Sequence, residues 1–192
     1  MARKNEFQPD KPRLGLMDWL HLTQKQRKNL LKWVLYGALL LVLSLLQDVV
    51  LSRVRIFGAT TDLVPCALFL VCLLEGTHSG SVFALVASLL YLFSGTAPGP
   101  YAMVLLTAIA IGITIFRQAY LQKGFPAAML CVCLAMLIYE ISVFGVGLFL
   151  NLTIFSRLPG FLITTLLSLL FAPALYPLVL AIETIGGEPW KE

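Results

Sequence analysis

Residues 126–150 read PAAMLCVCLAMLIYEISVFGVGLFL, and this stretch contains a single charged residue, Glu140. An α-helix rises about 1.5 Å per residue, so about 20 consecutive apolar residues are needed to cross the hydrocarbon core of a bilayer. The stretch is 25 residues long and exceeds that length. It predicts a membrane-spanning helix that carries one carboxyl group.

The composition of the whole chain agrees with a membrane protein. Of its 192 residues, 59% are hydrophobic and 12% are charged, and the mean hydropathy is +0.88. A soluble domain usually carries about 25% charged residues. The chain therefore has too little polar surface to cover a water-soluble globule, and we exclude that class.

Six apolar segments predict an all-α integral membrane protein, a compact bundle of about six transmembrane helices. The segments are residues 33–51, 63–74, 81–93, 101–116, 126–150 and 161–182. A span needs about 17–25 residues, so the second, third and fourth segments are short. The sequence EGTHSG over residues 75–80 argues against one helix through the second and third segments. A re-entrant hairpin of these two segments is the alternative.

The basic residues predict the orientation of the chain. Eight of the 14 lysines and arginines precede the first apolar segment, and basic segments stay in the cytoplasm. We therefore expect a multi-pass protein of the cell membrane with a cytoplasmic amino terminus. Three basic residues then fall outside: Arg53, Arg55 and Arg157. Beside a membrane helix, such a basic patch suits anionic lipid headgroups better than nucleic acid, so no nucleic-acid partner is expected.

The predicted organisation has three parts. They are a basic cytoplasmic segment over residues 1–32, a six-helix transmembrane bundle over 33–183 and a short cytoplasmic tail over 184–192. In the first part, Leu16, Trp19 and Leu20 recur at helical spacing, which predicts an amphipathic helix. This helix either anchors the first span at the membrane interface or docks a cytoplasmic partner.

Glu140 is the most informative polar residue of the apolar segments. A charged carboxylate at the bilayer centre costs about 2.5–3.5 kcal/mol on insertion scales, so we expect Glu140 to face the bundle interior. It either has a functional or partner-binding role or is a structural carboxyl group bonded to a Ser, Thr or Tyr of a neighbouring helix. Interfacial positions are expected for four polar residues at segment ends: Gln47, Asp48, Asp62 and Glu183.

Small residues recur every four positions on two segments. Gly80, Ala84 and Ser88 do so on the third segment, and Ala108 and Gly112 on the fourth. Small residues at this spacing let membrane helices approach closely. We therefore predict close helix packing along both faces.

Motifs for catalysis and for cofactor binding are absent from the sequence. It has no phosphate-binding glycine loop, no HExxH zinc motif and no G-x-S-x-G nucleophile elbow. His78 beside Glu75 is a poor metal site, and the four cysteines lie in apolar segments, where they serve as packing residues. We expect no enzyme, no cofactor and no metal.

Three short motifs follow one another between Ala59 and Phe116. An acidic start to the second span reads Thr61-Asp62-Leu63, a charged residue and a glycine follow it as Glu75-Gly76, and the next helix ends in LLYLFSG over residues 89–95. A Pro/Gly turn and a fresh span come next. In this order the motifs resemble the rod shape-determining protein MreD family of bacteria. That family often has Asp where Tyr91 stands and Arg where Glu75 stands.

The resemblance implies a function without catalysis. MreD-like proteins are membrane subunits of the peptidoglycan-synthesis complex of cell elongation. They associate with the bitopic partner MreC and, through it, with other elongation-complex proteins. The candidate partner-binding or structural residues in this chain are Glu140, Asp62, Glu75, Gly76, Gly80, Ala84 and Ser88.

A second hypothesis comes from another class of protein. The family is similar in architecture to the substrate-binding subunits of energy-coupling-factor vitamin transporters, which are also six-helix bundles. Such a subunit should collect polar and aromatic side chains at one depth around a small-molecule pocket near the outer face, with Glu140 or Asp48 holding the ligand. The sequence offers few such residues, which favours a scaffold that binds other membrane proteins.

Overall fold

The structure is a computed structural model, and it describes residues 24–53, 59–120 and 124–185. Over these residues the predicted all-α class is confirmed, since they form six α-helices and no β-strand. The helices are α1 (Gln24–Val49), α2 (Leu63–Glu75), α3 (Thr77–Phe93), α4 (Tyr101–Tyr120), α5 (Phe125–Phe149) and α6 (Leu158–Ile185).

Four of these helices, α1, α4, α5 and α6, are long and apolar enough to cross a membrane. They leave many large apolar side chains exposed, among them Val42, Val104, Ile141 and Leu166. A water-soluble protein would bury such faces. Length, composition and surface are therefore compatible with an α-helical membrane protein, while α2 and α3 are the shorter apolar helices.

Helix α1 begins before the first apolar segment. It starts at Gln24 and continues through Lys32, because the Gln, Lys and Arg residues there are good helix formers. Pro159 and Gly160 lie in the first turn of α6, where proline is tolerated. The predicted amphipathic helix around Leu16 and most of the predicted tail lie outside the described residues.

Helix α2 forms the centre of the bundle. Every residue from Leu63 to Leu74 is buried, and α2 contacts each of the other five α-helices. A helix that is apolar on all sides is stable only when it is surrounded by other apolar groups. In α2 these groups are protein side chains, so its length of 13 residues is set by its neighbours and not by the bilayer.

Contacts at both ends of α2 show that it runs the length of the bundle. At one end, Glu75 Oε1 lies 2.6 Å from Lys32 Nζ in α1. At the other end, the Gln47 side chain of α1 donates a hydrogen bond to Asp62, just before α2. Helix α2 therefore crosses the same depth as α1 between Lys32 and Gln47. The re-entrant hairpin of the second and third segments remains an alternative prediction.

The connection between α2 and α3 is a single residue, Gly76. Its φ of 85° lies in the left-handed region, which favours glycine. The two helices then pack closely at Gly80, where an added Cβ would lie 2.9 Å from the carbonyl oxygen of Cys72. Ala84 and Ser88 follow on the same buried face of α3. The Ser88 hydroxyl lies 3.0 Å from that of Thr107 in α4.

We expect Gly80→Ala to lower the free energy of unfolding by about 1–3 kcal/mol, because overpacking a tight contact forces backbone shifts. The matched control is Gly145→Ala in α5, where an added Cβ meets no atom within 4 Å and should change stability little. Thermal unfolding of both variants in detergent measures the difference. Equal unfolding midpoints for the two variants would contradict close packing at Gly80.

Candidate functional site

A cavity of about 690 Å³ lies at the end of the bundle where α1, α3 and α5 end and α2, α4 and α6 begin. Its inner wall is buried and largely polar, and its mouth is formed by exposed residues before α4 and around the start of α6. The buried lining residues include Gln47, Thr61, Tyr91, Tyr139, Glu140 and Val143, and Asp62 is partly buried. The exposed ones include Pro98, Ser156, Arg157 and Pro159.

A group of hydrogen bonds around Asp62 joins four parts of the fold beside this cavity. Gln47 Nε2 in α1 donates to Asp62 Oδ1 at 2.7 Å. The Tyr91 hydroxyl in α3 donates to Asp62 Oδ2 at 2.8 Å. The Asp62 backbone N–H donates to the Ser168 hydroxyl oxygen in α6 at 2.8 Å. We call these four residues the Asp62 cluster, and it ties α1, α3 and α6 to the start of α2.

Gln47 also caps α2. The first backbone N–H groups of a helix have no partner within that helix. Gln47 Oε1 accepts hydrogen bonds from the N–H groups of Leu63, at 2.9 Å, and of Val64, at 3.1 Å. Gln47 is buried, with an exposed fraction of 6%, and its position relative to the membrane interface stays a prediction. Its side-chain amide therefore donates to the carboxyl group of Asp62 and accepts from the amino end of α2.

Burial and hydrogen bonding act in opposite directions on the pKa of Asp62. Burial raises the pKa of the Asp62 carboxyl group, and the hydrogen bonds from Tyr91 and Gln47 oppose that rise because they stabilise the charged form. Tyr91 therefore supplies a hydrogen-bond donor to this carboxyl group from α3.

Glu140 lies inside the bundle, as expected from the cost of exposing a carboxylate to lipid. Its exposed fraction is 4%, and it lines the cavity with Tyr139 and Asp62. The structural alternative, a hydrogen bond to a Ser, Thr or Tyr of a neighbouring helix, is not formed within the described residues. Its carboxyl group interacts electrostatically with that of Asp62, so two acidic groups share one cavity.

The other end of the bundle holds a separate polar contact. Glu75 pairs with Lys32, and the two side chains have exposed fractions of 6% and 13%. Thr77 Oγ1 donates to Gln118 Oε1 at 2.7 Å beside them. The structure therefore divides the predicted site residues. Asp62 and Glu140 meet at the cavity, while Glu75 with Gly76 and Gly80 at the opposite end, and Ala84 with Ser88 between the ends, belong to helix packing.

The site is suited to binding by hydrogen bonds and charge. Within the part of the chain that the structure describes, no three His, Cys, Asp or Glu side chains come together as a possible metal site. The cavity instead combines two carboxyl groups with hydroxyl groups and aromatic rings.

Sequence reasoning did not assign three lining residues to this site: Gln47, Tyr91 and Tyr139. One signal was present for Tyr91, because it follows Ala84 by seven positions and Ser88 by three. That spacing places it on the small-residue face of α3.

We expect Gln47→Ala to reduce the free energy of unfolding by about 1–3 kcal/mol, since it leaves buried N–H groups without acceptors. Asp48→Ala is the matched control, because Asp48 is adjacent in sequence but exposed. Denaturant titration in detergent micelles, followed by circular dichroism, measures both. If the two variants unfold at the same denaturant concentration, Gln47 does not cap α2 as described.

Comparison with known proteins identifies no relative. No protein-family model, curated protein or solved structure matches the chain.

Proposed function

We propose that the chain is a non-catalytic membrane subunit that binds other membrane proteins in the bacterial cell-elongation complex for peptidoglycan synthesis. The resemblance of residues 59–116 to the MreD family supports this proposal. The basic residues before the first apolar segment support a cytoplasmic amino terminus in the cell membrane. In this orientation the Lys32–Glu75 pair lies at the cytoplasmic end, and the cavity lies at the outer end.

The observation that carries the proposal is a lateral groove between α4 and α5. It has a volume of about 310 Å³ and is lined almost entirely by apolar atoms, from Ile109, Gly112, Ile113, Phe116, Cys131, Leu134, Ala135 and Ile138. Gly112 is exposed, and no atom lies within 4 Å of the place where its Cβ would be. Small residues on a lipid-facing surface let a second helix approach closely. The groove therefore suits the single transmembrane helix of a bitopic, MreC-like partner.

We expect a photo-reactive amino acid at Gly112 or Ile138 to cross-link a bitopic membrane protein in native membranes. The same probe at Leu166, which is exposed on α6, should give little product. Gly112→Leu should lower recovery of the partner about tenfold, corresponding to about 1.4 kcal/mol, because the larger side chain fills the groove. Gly145→Leu, at another open position, is the control. Full recovery with Gly112→Leu would contradict docking at this groove.

Depletion of the protein should convert rod-shaped cells to round cells, because an elongation complex without this subunit cannot direct lateral wall synthesis. Light microscopy during depletion measures the ratio of cell length to width. The control is re-expression of the wild-type chain, which should restore that ratio. Normal cell shape together with lost vitamin uptake would refute the scaffold function.

The cavity favours a second candidate, the substrate-binding subunit of an energy-coupling-factor vitamin transporter. Polar and aromatic side chains do gather at one depth there, including Asp62, Tyr91, Tyr139 and Glu140. This is the pattern expected of a small-molecule pocket near the outer face. Asp48, the other residue expected to hold a ligand, is exposed on α1 and does not line the cavity. A vitamin retained through purification would rank this candidate first.

A further inference from the structure

The two carboxyl groups of the outer cavity differ in how they are paired. The oxygens of Asp62 accept hydrogen bonds from Gln47 and Tyr91. Glu140 accepts no hydrogen bond from the described residues, although only 4% of it is exposed. A buried carboxylate without a donor is costly, and proteins normally supply a partner for one. Glu140 is therefore the group in this cavity that lacks a partner.

Tyr139 forms the wall of the cavity beside Glu140. Its exposed fraction is 1%, it lines the cavity, and its buried hydroxyl group interacts with the Tyr91 side chain. Its ring is held against Phe69 of α2 in an edge-to-face contact with centroids 6.3 Å apart. Packing therefore fixes the ring as part of the cavity wall, and Glu140 is the lining group without a partner.

The rest of the lining indicates the shape of that ligand. Val143 and Phe161 add apolar surface, and Tyr91 adds a third aromatic ring to those of Tyr139 and Phe161. Aromatic faces attract cations. A volume of about 690 Å³ falls within the range of pockets that bind small organic molecules. A compact inorganic ion would leave most of this space and its apolar wall unused.

From these contacts we infer that the cavity binds a small organic cation, whose ammonium group pairs with the carboxylate of Glu140 and whose apolar or aromatic body lies against Phe161 and Val143. Arg157 is exposed at the mouth. Its positive charge therefore lies at the mouth of the cavity, away from the buried carboxyl groups, and does not neutralise Glu140. An ammonium ion supplies both the positive charge and the hydrogen-bond donors that are lacking around Glu140.

Cation binding in this cavity is not part of the scaffold function. For the transporter candidate, it names the chemical class of the ligand. It does not depend on the lateral groove. The cavity is lined from α1, α3, α5 and α6, and the groove lies between α4 and α5. Loss of cation binding and loss of the bitopic partner can therefore be observed separately in the same variants.

The experiment uses the full chain in detergent with two ammonium probes, benzylammonium and tryptammonium. Benzyl alcohol and indole-3-ethanol are the neutral controls of matched shape. Unfolding is followed with a thiol-reactive dye, since Cys66, Cys72 and Cys131 are buried in the folded chain. Both cations should raise the unfolding temperature, and the neutral compounds should not. Calorimetric titration then gives the dissociation constants.

Single substitutions test which side chains of the cavity bind the cation. Glu140→Gln should weaken binding of both cations by roughly tenfold or more, because it removes the charged partner. Tyr139→Phe should weaken binding little, because the Tyr139 hydroxyl group is buried in the cavity wall. Both variants should fold, since Glu140 accepts no hydrogen bond from the described residues and phenylalanine keeps the ring contact with Phe69. Asp48→Asn removes one charge at the same end of the bundle but outside the cavity lining, and it should bind as the wild type does.

Three outcomes would overturn the inference. The first is that neither cation stabilises the wild-type chain. The second is that the neutral compounds stabilise it equally, which would make the cavity an apolar pocket only. The third is that Mg²⁺ or Na⁺ displaces the ammonium probes at equal concentration, which would make Glu140 an inorganic cation site. In each case the cross-linking at Gly112 remains a separate test of the scaffold function.

Discussion

The buried amino end of α2 is the constraint on which the rest of the structure depends. Helix α2 is enclosed by five other helices, so water cannot satisfy its first N–H groups and another part of the chain must do so. Gln47 supplies that acceptor from α1, and the same amide donates to Asp62. Because Tyr91 and Ser168 also bond to Asp62, the cap of one helix fixes the relative depth of three others.

This arrangement also explains where binding surfaces remain. Hydrogen bonds within the Asp62 cluster occupy its polar groups, so Glu140 is the buried carboxyl group of the cavity lining that accepts no hydrogen bond from the described residues. At the opposite end, the Lys32–Glu75 pair and the close contact at Gly80 hold α1, α2 and α3 together. The open groove beside Gly112 lies away from both ends. The proposed partner binding along the side and the proposed ligand binding at one end therefore use different residues.

Much of the fold could be predicted because lipid imposes simple rules on a chain. Long apolar segments predicted the helices, and the high cost of an exposed carboxylate placed Glu140 inside. The central position of α2 could not be predicted, because a short apolar run is equally compatible with a short span. The partners of Gln47 could not be predicted either, because its amide bonds to residues 15 to 17 positions away in the chain. Tyr139 suits both lipid interfaces and helix packing, so its place in the cavity depends on tertiary contacts that no local pattern records.

The central claim is that α2 is shielded by protein while the long helices around it face lipid. A lipid-soluble carbene reagent, activated in native membranes and mapped by mass spectrometry, tests this directly. Label should appear on exposed apolar residues such as Val42 in α1, Val104 in α4 and Leu166 in α6, and residues 63–74 should remain unlabelled. Labelling of residues 63–74 at the level found on α1 would contradict the account.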